Sequence, residues 1–267
     1  MYRIINKVVV MVIFSGLAMC SLAQNRIDVQ RPDAPELASY GQYAIGVKTV
    51  NIINPRQIDI ISIDLAQPEL ADLPRYDRSL TLEVWYPAIK SSQGNTSLDV
   101  YLRDGKTEVS VIGKAIRDAK PIVNNKKYPL VLISHGYPGN RFLLSHLAEK
   151  IASKGYVVVS IDHTDSTYRT QAAFGSTLVN RPLDQLFTLD QIAIMSKDNT
   201  SFLYHLVNPH NTALIGYSMG GYGAVIAAGA SVTQQAVDYS CVAPHNTLAI
   251  HQHLNKTNTS TDPRLQP

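Results

Sequence analysis

The most informative part of the sequence is Asn211-Thr-Ala-Leu-Ile-Gly-Tyr-Ser-Met-Gly-Gly-Tyr-Gly-Ala-Val-Ile-Ala-Ala-Gly229, which predicts a strand, a tight turn and a helix. Residues 213–215 form a short apolar run typical of a strand buried on both faces. Residues 224–228 are small and apolar, which suits a helix packed closely against a sheet. Between them, residues 216–220 match the G-x-S-x-G pattern of a nucleophile elbow. The pattern predicts that Ser218 lies in a strained turn, with its hydroxyl raised above the strand ends.

The two glycines of this pattern, Gly216 and Gly220, are expected to leave room where a Cβ would clash. A hydroxyl is a weak nucleophile, and the turn would present it to a base and to the positive end of the following helix. Because a five-residue pattern also arises by chance, the alternative is a glycine-rich helix start with Ser218 as its N-cap. The strand and the helix predicted on either side favour the elbow.

A second motif lies in residues 128–140, which begin as an apolar strand and end in the loop His135-Gly136-Tyr137. Adjacent parallel strands would bring this loop and the elbow together at the ligand-binding edge of the sheet. Attack on an ester carbonyl builds negative charge on oxygen, which requires two donors aimed in advance. The backbone N–H groups of Tyr137 and Met219 stand in the positions expected for these oxyanion donors.

The remaining elements predict an α/β domain with a mostly parallel sheet and helices on both faces. Strands are expected at residues 47–53 and 58–63, then at 78–87, where alternation indicates a half-buried strand. Residues 90–126 are expected to be a surface excursion with a short helix near 107–118. Beyond it the predicted elements are a helix at 142–153, a strand at 156–161, a helix at 181–195 and a further helix through residue 206.

The first 23 residues have the pattern of a secretory signal peptide. Arg3 and Lys7 precede an apolar run at residues 8–19, and residues 21–23 are small enough for cleavage before Gln24. The run is too short for a confident transmembrane helix. We therefore expect a secreted or periplasmic protein whose residues 24–267 form one domain, with lipid anchoring at Cys20 as the alternative.

Composition limits the partners of this domain. With the signal segment removed, Cys241 is the only cysteine, so neither an internal disulfide nor a Cys/His zinc site is expected. No metal and no cofactor are therefore predicted. The formal net charge is +3 and no Lys/Arg run is present, which makes nucleic acid an unexpected partner. A hydrophobic content of 45% is sufficient for an ordinary core.

The order of these motifs resembles the α/β-hydrolase superfamily. Leu132-Ile-Ser-His-Gly136, the run Ser160-Ile-Asp-His-Thr-Asp165 and Gly216-Tyr-Ser-Met-Gly-Gly221 carry the resemblance, together with Leu82-Glu-Val-Trp-Tyr-Pro87. Within the superfamily, residues 78–230 resemble the bacterial platelet-activating-factor acetylhydrolase and dienelactone-hydrolase-like group. Dienelactone hydrolases carry a cysteine nucleophile, so with Ser218 this chain resembles the serine lipases and esterases of that group instead. The resemblance implies a Ser-His-Asp triad in the chain order Ser, acid, His, acting on a small-molecule, lipid or polymer ester.

The sequence departs from this pattern after the elbow, because only 49 residues follow Ser218. A strand, a crossover and a further strand take about 30 residues or more, so we expect an incomplete domain without the last strands, the acid and the histidine. Two functions therefore stay open: an ester hydrolase with an impaired triad, and a hydrolase-fold protein that binds acyl-like ligands without turnover. His135 and Asp162-His163 are expected to be structural or pocket-lining. The possible substitutes for the missing partners are Asp238, His245, His251, His253 and Asp262.

Overall fold

The computed structural model describes residues 25–63, 73–90, 92–122, 124–172, 174–239 and 263–265. Within these ranges the strands are β1 (Ala44–Ile58), β2 (Arg75–Ala88), β3 (Ser97–Tyr101), β4 (Glu108–Ile112), β5 (Ile116–Arg117), β6 (Tyr128–Ser134), β7 (Val157–Asp162) and β8 (Val207–Gly216). The helices are α1 (Ser145–Ser153), α2 (Phe174–Met195), α3 (Met219–Ala227) and α4 (Gln234–Tyr239), with 3-10 turns at Glu36–Ala38, Ile60–Ser62 and Pro263–Leu265. None of the described helices is long and apolar enough to span a bilayer.

The main sheet has the order β5-β1-β2-β7-β6-β8, and β3 with β4 forms a separate hairpin. Strands β7, β6 and β8 run parallel, as do β1 and β5, whereas β2 is antiparallel to both of its neighbours. This mixed, mostly parallel sheet confirms the predicted α/β class. In the pairing of β6 with β8, Ser134 lies opposite Gly216, so the two motifs do end at the same edge of the sheet.

Apolar residues cover both faces of the central strands, because parallel strands carry helices on each side. In β6, Leu130 and Leu132 belong to the core under α2, whereas Val131 and Ile133 belong to the core under α1. Helix α1 contributes Ala148 and Ala152 to its core; α2 contributes Leu189 and Ile192 to the other. The strand ends are thereby held between two packed layers.

The alternation predicted for residues 78–87 holds from Arg78 to Leu82, but the prediction of a half-buried strand is wrong from Glu83 onward, where β2 is buried on both faces. The fully buried Glu83 carboxylate replaces the expected solvated polar face. It pairs with Arg117 and, at 3.0 Å, with Nε of Arg141, which also binds Asp162. A buried charge persists only when it is paired in this way, and alternation in the sequence does not reveal the partners because they lie in distant segments.

Three other predictions about local structure are wrong. The region at 107–118 contains β4 and β5 rather than a helix, because alternating Val109 and Val111 pair with β3 in the hairpin. The strand expected at 47–53 is confirmed as part of β1, but the separate strand expected at 58–63 is wrong, because β1 ends at Ile58 and a 3-10 turn follows. The third concerns the helices before β8.

Helix α2 starts at Phe174 rather than 181, and residues 196–206 form turns instead of a second helix. Pro182, a residue common in the first helical turn, lies inside α2 and cannot bond the carbonyl of Leu178. The hydroxyl of Tyr222 on α3 donates to that carbonyl at 3.1 Å. A tertiary contact therefore satisfies the group that the proline leaves free.

Candidate active site

Ser218 lies between β8 and α3 with φ 53° and ψ −120°, a backbone region that a residue with a side chain rarely adopts. The residue is exposed, and it immediately precedes the first turn of α3. Its carbonyl points into the helix, where it accepts the N–H of Gly221 at 2.8 Å. The turn therefore presents the side chain of Ser218 to solvent at the positive end of a helix.

Close backbone approaches explain the glycines of the two motifs. A Cβ on Gly216 would lie 2.5 Å from the Cα of Gly221, and one on Gly220 would lie 2.6 Å from the carbonyl carbon of Ser134. A Cβ on Gly136 would lie 3.0 Å from Ser218 Cβ and 3.5 Å from its Oγ. The loop after β6 and the elbow are therefore in direct contact, with Gly136 facing the serine side chain.

Two backbone N–H groups at this contact, those of Tyr137 and Met219, donate to no partner among the described residues. In a trans peptide the N–H points opposite to the C=O. Because the carbonyl of Ser218 is directed into α3, the N–H of Met219 points out of the helix. Unpaired backbone donors beside an exposed serine are what stabilisation of an oxyanion requires.

Aromatic side chains border this part of the surface. The ring of Tyr137 packs edge-on against Phe174 with centroids 5.1 Å apart, and its hydroxyl donates to the carbonyl of Ala172. Tyr217, the neighbour of Ser218, is 56% exposed. An acyl group beside the serine would therefore meet aromatic surfaces.

A complete Ser-His-Asp chain of hydrogen bonds exists in the described structure, but Ser218 is not part of it. Ser134 Oγ lies 2.8 Å from His163 Nε2, and His163 Nδ1 lies 2.8 Å from Asp184 Oδ2. Arg78 binds the same carboxylate with both Nε and Nη2, at 2.8 and 2.9 Å. The pKa of His163 lies well below its usual value, mainly because the ring is buried and also because Arg181 and Arg78 carry positive charge nearby. All these groups are buried, so this chain of bonds links β6, β7 and α2 internally.

The hydroxyl of Ser218 itself has no hydrogen-bond partner among the described residues. Asp238, one possible acid, is exposed on α4, where it accepts a hydrogen bond from Gln234 at 2.8 Å. The other possible partners, His245, His251, His253 and Asp262, lie outside the described residues.

The helix residues that hold the two loops were not among the residues predicted from the sequence. Arg181 donates to the carbonyls of His135 and Gly136, and Gln185 donates to the carbonyl of Gly220 at 3.1 Å. Both lie on α2, together with Asp184. The available signal was the group of polar residues at 181, 184 and 185, which helical periodicity places on one side of α2.

Parts of this chain are similar in sequence to known ester hydrolases. The cutinase est1 of Thermobifida alba is 32% identical over 99 residues, which cover 37% of this chain and 30% of that protein. The platelet-activating factor acetylhydrolase of Cavia porcellus is 30% identical over 116 residues, covering 40% of this chain and 27% of that protein. The chain thus spans about a third of the length of the curated relatives it matches.

A ferulic acid esterase from Streptomyces cinnamoneus shares the fold, with a TM-score of 0.51 and 21% identity over 76% of this chain and 58% of that one. The family model described as "PETase: PET hydrolase-like" matches residues 87–256, which is more than half of the chain and includes both motifs. The predicted resemblance to α/β-hydrolases is confirmed. With the elbow and its partner loop inside the matched region, the chain belongs to the PET hydrolase-like family.

Proposed function

We propose that this protein is a serine hydrolase of carboxylic esters, with Ser218 as its nucleophile. The observation that carries the proposal is the strained, exposed Ser218 at the start of α3, in contact with Gly136 and flanked by two backbone N–H groups that are unpaired within the described residues. Backbone strain of this kind is maintained at functional sites. Relatives named cutinase, acetylhydrolase and ferulic acid esterase make an ester the substrate class we propose.

In the proposed reaction, Ser218 Oγ attacks the ester carbonyl carbon while a base removes the hydroxyl proton. The electron pair of the C=O moves to oxygen, which receives hydrogen bonds from the N–H groups of Tyr137 and Met219. Collapse of this intermediate expels the alcohol, which takes up the proton, and leaves an acyl group on Ser218. Water then attacks the acyl-enzyme by the same sequence of steps and releases the acid.

The base and its acid are proposed to come from outside the described residues, where His245, His251, His253 and Asp262 lie. The competing candidate function is a hydrolase-fold protein that binds acyl-like ligands without turnover. It is favoured by one observation: no described side chain bonds Ser218 Oγ. The impaired triad expected from the sequence belongs to the first candidate, the ester hydrolase, and stays a prediction.

A fluorophosphonate probe distinguishes the two functions, because it reacts covalently only with an activated serine. We expect a single label on the wild type, lost in Ser218→Ala and retained in Ser134→Ala. Turnover of p-nitrophenyl acetate then reports whether deacylation follows. Single substitutions of His245, His251 and His253 by Gln identify the base as the one that removes both signals. Absence of labelling and turnover in a folded wild type would refute the hydrolase and leave the binding protein.

We also propose that the protein is exported and that residues 24–267 form one domain. The pattern of residues 1–23 supports this, although that segment lies outside the described residues. Expression of the full chain in a bacterium, followed by mass measurement of the extracytoplasmic protein, should give a chain that starts at Gln24. Retention of the first 23 residues, or a lipid adduct at Cys20, would contradict cleavage at this site.

A further inference from the structure

We propose that Arg181 is the positioning residue of the oxyanion site: from α2 it fixes the Gly136–Tyr137 peptide so that the Tyr137 N–H faces Ser218. This inference rests on the proposed function of Ser218. Arg181 lies behind the loop and does not touch a substrate, so its effect passes through the peptide it holds.

The contacts of Arg181 are unusual for a buried arginine. Arg181 is 1% exposed, yet its guanidinium donates to two carbonyls, those of His135 and, at 3.3 Å, Gly136, and to no described carboxylate. Its Nη1 also lies 3.5 Å from His135 Nδ1, and its Nε has no hydrogen-bond partner among the described residues. Its stem crosses α3 at Gly223, where a Cβ would lie 2.6 Å from Arg181 Cγ. The guanidinium is therefore inserted between α2, α3 and the loop after β6, and a glycine on α3 makes the space for it.

The second donor to the Gly136 carbonyl is the ring of His135. Its Nε2 accepts the backbone N–H of His163 at 3.3 Å, which leaves the proton on Nδ1, and Nδ1 lies 2.6 Å from the Gly136 oxygen. Burial, together with the charges around it, lowers the pKa of His135 well below its usual value and keeps the ring in this neutral form.

Two donors therefore hold the Gly136 carbonyl on the interior side of the loop. The peptide between Gly136 and Tyr137 is trans, so the Tyr137 N–H must point the opposite way. That direction is away from Arg181, and the proposal places it on the side of the loop where Gly136 contacts Ser218. Without the guanidinium, only the adjacent His135 ring would hold the peptide, and a rotation of the peptide plane would remove one oxyanion donor.

The same helix positions the second donor. One turn along α2 from Arg181, Gln185 binds the carbonyl of Gly220, the residue after Met219. The two loops that supply the N–H groups are thus held by adjacent turns of one helix, which fixes their separation. Burial lowers the pKa of Arg181 to about 10, so the guanidinium stays charged at neutral pH.

The test compares Arg181→Met and Arg181→Lys with the control Arg141→Met, which removes another arginine near the same loop. Arg141 binds Glu83 and Asp162 and contacts neither loop carbonyl. The first measurement is the 15N relaxation of the Tyr137 amide, which needs no activity. We expect an order parameter of about 0.85 in the wild type and in Arg141→Met, falling below about 0.6 in Arg181→Met. Lysine can reach one carbonyl only, so Arg181→Lys should be intermediate.

The second measurement is the affinity for phenylboronic acid, which forms a tetrahedral anionic adduct with an accessible serine. Loss of one oxyanion donor costs about 100-fold or more in rate, so a mobile donor should weaken adduct formation about 10- to 100-fold in Arg181→Met. Binding equal to wild type, with a rigid Tyr137 amide, would overturn the proposal. If wild type and Ser218→Ala bind the boronate equally, the proposed function fails instead, and the amide measurement alone decides the role of Arg181. If Arg181→Met does not fold cooperatively, Arg181→Lys is judged by the same two measurements.

Discussion

Substitution by alanine at Gly220 and at Gly221, neighbours at the start of α3, should change the free energy of unfolding in opposite directions. A Cβ on Gly220 would lie 2.6 Å from the carbonyl carbon of Ser134 and 2.8 Å from the carbonyl oxygen of His135, both of them backbone atoms of the central sheet and its loop. A Cβ on Gly221 would meet its nearest atom, the Gly216 oxygen, at 3.4 Å, which is ordinary contact. Gly220→Ala must therefore displace backbone, whereas Gly221→Ala need not.

The expected magnitude for Gly220→Ala follows from these distances. Carbon atoms pack at about 3.5–4.0 Å, so α3 must move about 1 Å away from β6. Overpacking of this kind costs about 1–3 kcal/mol, and stretching the 3.1 Å bond from Gln185 to the Gly220 carbonyl adds about 1 kcal/mol. The free energy of unfolding should fall by about 2–4 kcal/mol. For Gly221→Ala, the lower backbone entropy of alanine should raise it by roughly 0.5 kcal/mol.

Thermal unfolding followed by circular dichroism checks both values. In a domain of this size 1 kcal/mol corresponds to about 2–4 °C, so Tm should fall by about 5–15 °C in Gly220→Ala and rise by about 1–2 °C in Gly221→Ala. Equal shifts in the two variants, or a Gly220→Ala protein as stable as wild type, would refute the close packing of the elbow against β6.

Two further predictions concern the polar groups around α2. Tyr222→Phe should lower the free energy of unfolding by about 1 kcal/mol in wild type, but by clearly less in a Pro182→Ala background, since alanine at this position restores an N–H for the Leu178 carbonyl; additive effects in a double-mutant cycle would contradict this. Because burial keeps His135 and His163 neutral in the folded state, the unfolded chain takes up protons first, and stability should be lost as pH falls below about 6.5. Below this pH the free energy of unfolding should fall by about 1.4 kcal/mol per pH unit for each ring, which urea titrations at several pH values would measure. His163→Asn should remove about half of this pH dependence, and an unchanged pH dependence would show that the His163 ring is already charged in the folded state.

The sequence was sufficient to predict those features that depend on one continuous segment. The apolar run at 130–134 predicted a strand buried on both faces, and β6 is one. The run at 213–215 predicted the same for β8, and its parallel pairing with β6 is confirmed. The predicted burial of β8 is wrong, because β8 lies at the edge of the described sheet, with Ala213 exposed and Leu214 and Ile215 only half-buried. The G-x-S-x-G pattern predicted the turn at Ser218 because a strand and a helix were predicted on either side of it, and Gly216 and Gly220 do lie where a Cβ would clash. Each of these features depends on residues that are close together in the sequence, so one segment is enough to predict it.

Features that depend on distant partners could not be predicted in this way. The charge of Glu83 argued for a solvated face, yet Arg117 and Arg141, far along the chain, allow it to be buried in β2. The start of α2 was misplaced because Pro182 is acceptable inside a helix only when another element satisfies the carbonyl it abandons. That element is Tyr222, 40 residues later. The residues near Pro182 in the sequence therefore give no sign of the hydrogen bond from Tyr222.

Ser134 has a histidine and an aspartate partner but no access to solvent, whereas Ser218 is exposed but has no such partners among the described residues. Ser134 has a histidine at 2.8 Å and an aspartate behind it, but it is completely buried at the end of a regular strand, where no ester can approach. Ser218 is exposed, strained and flanked by N–H groups that no described residue accepts from. Access to substrate cannot be supplied by another residue, whereas a base can come from any segment that reaches the hydroxyl, so Ser218 is the nucleophile we propose.

The buried chain of bonds from Ser134 through His163 to Asp184 then has a different use. It joins the ends of β6 and β7 to α2, and α2 is the helix from which Arg181 and Gln185 hold the two donor loops. Buried polar groups that are fully hydrogen-bonded fix one arrangement of the elements that carry them. An arrangement of side chains known elsewhere as a catalytic triad therefore fixes, in this protein, the helix that we propose positions the oxyanion donors.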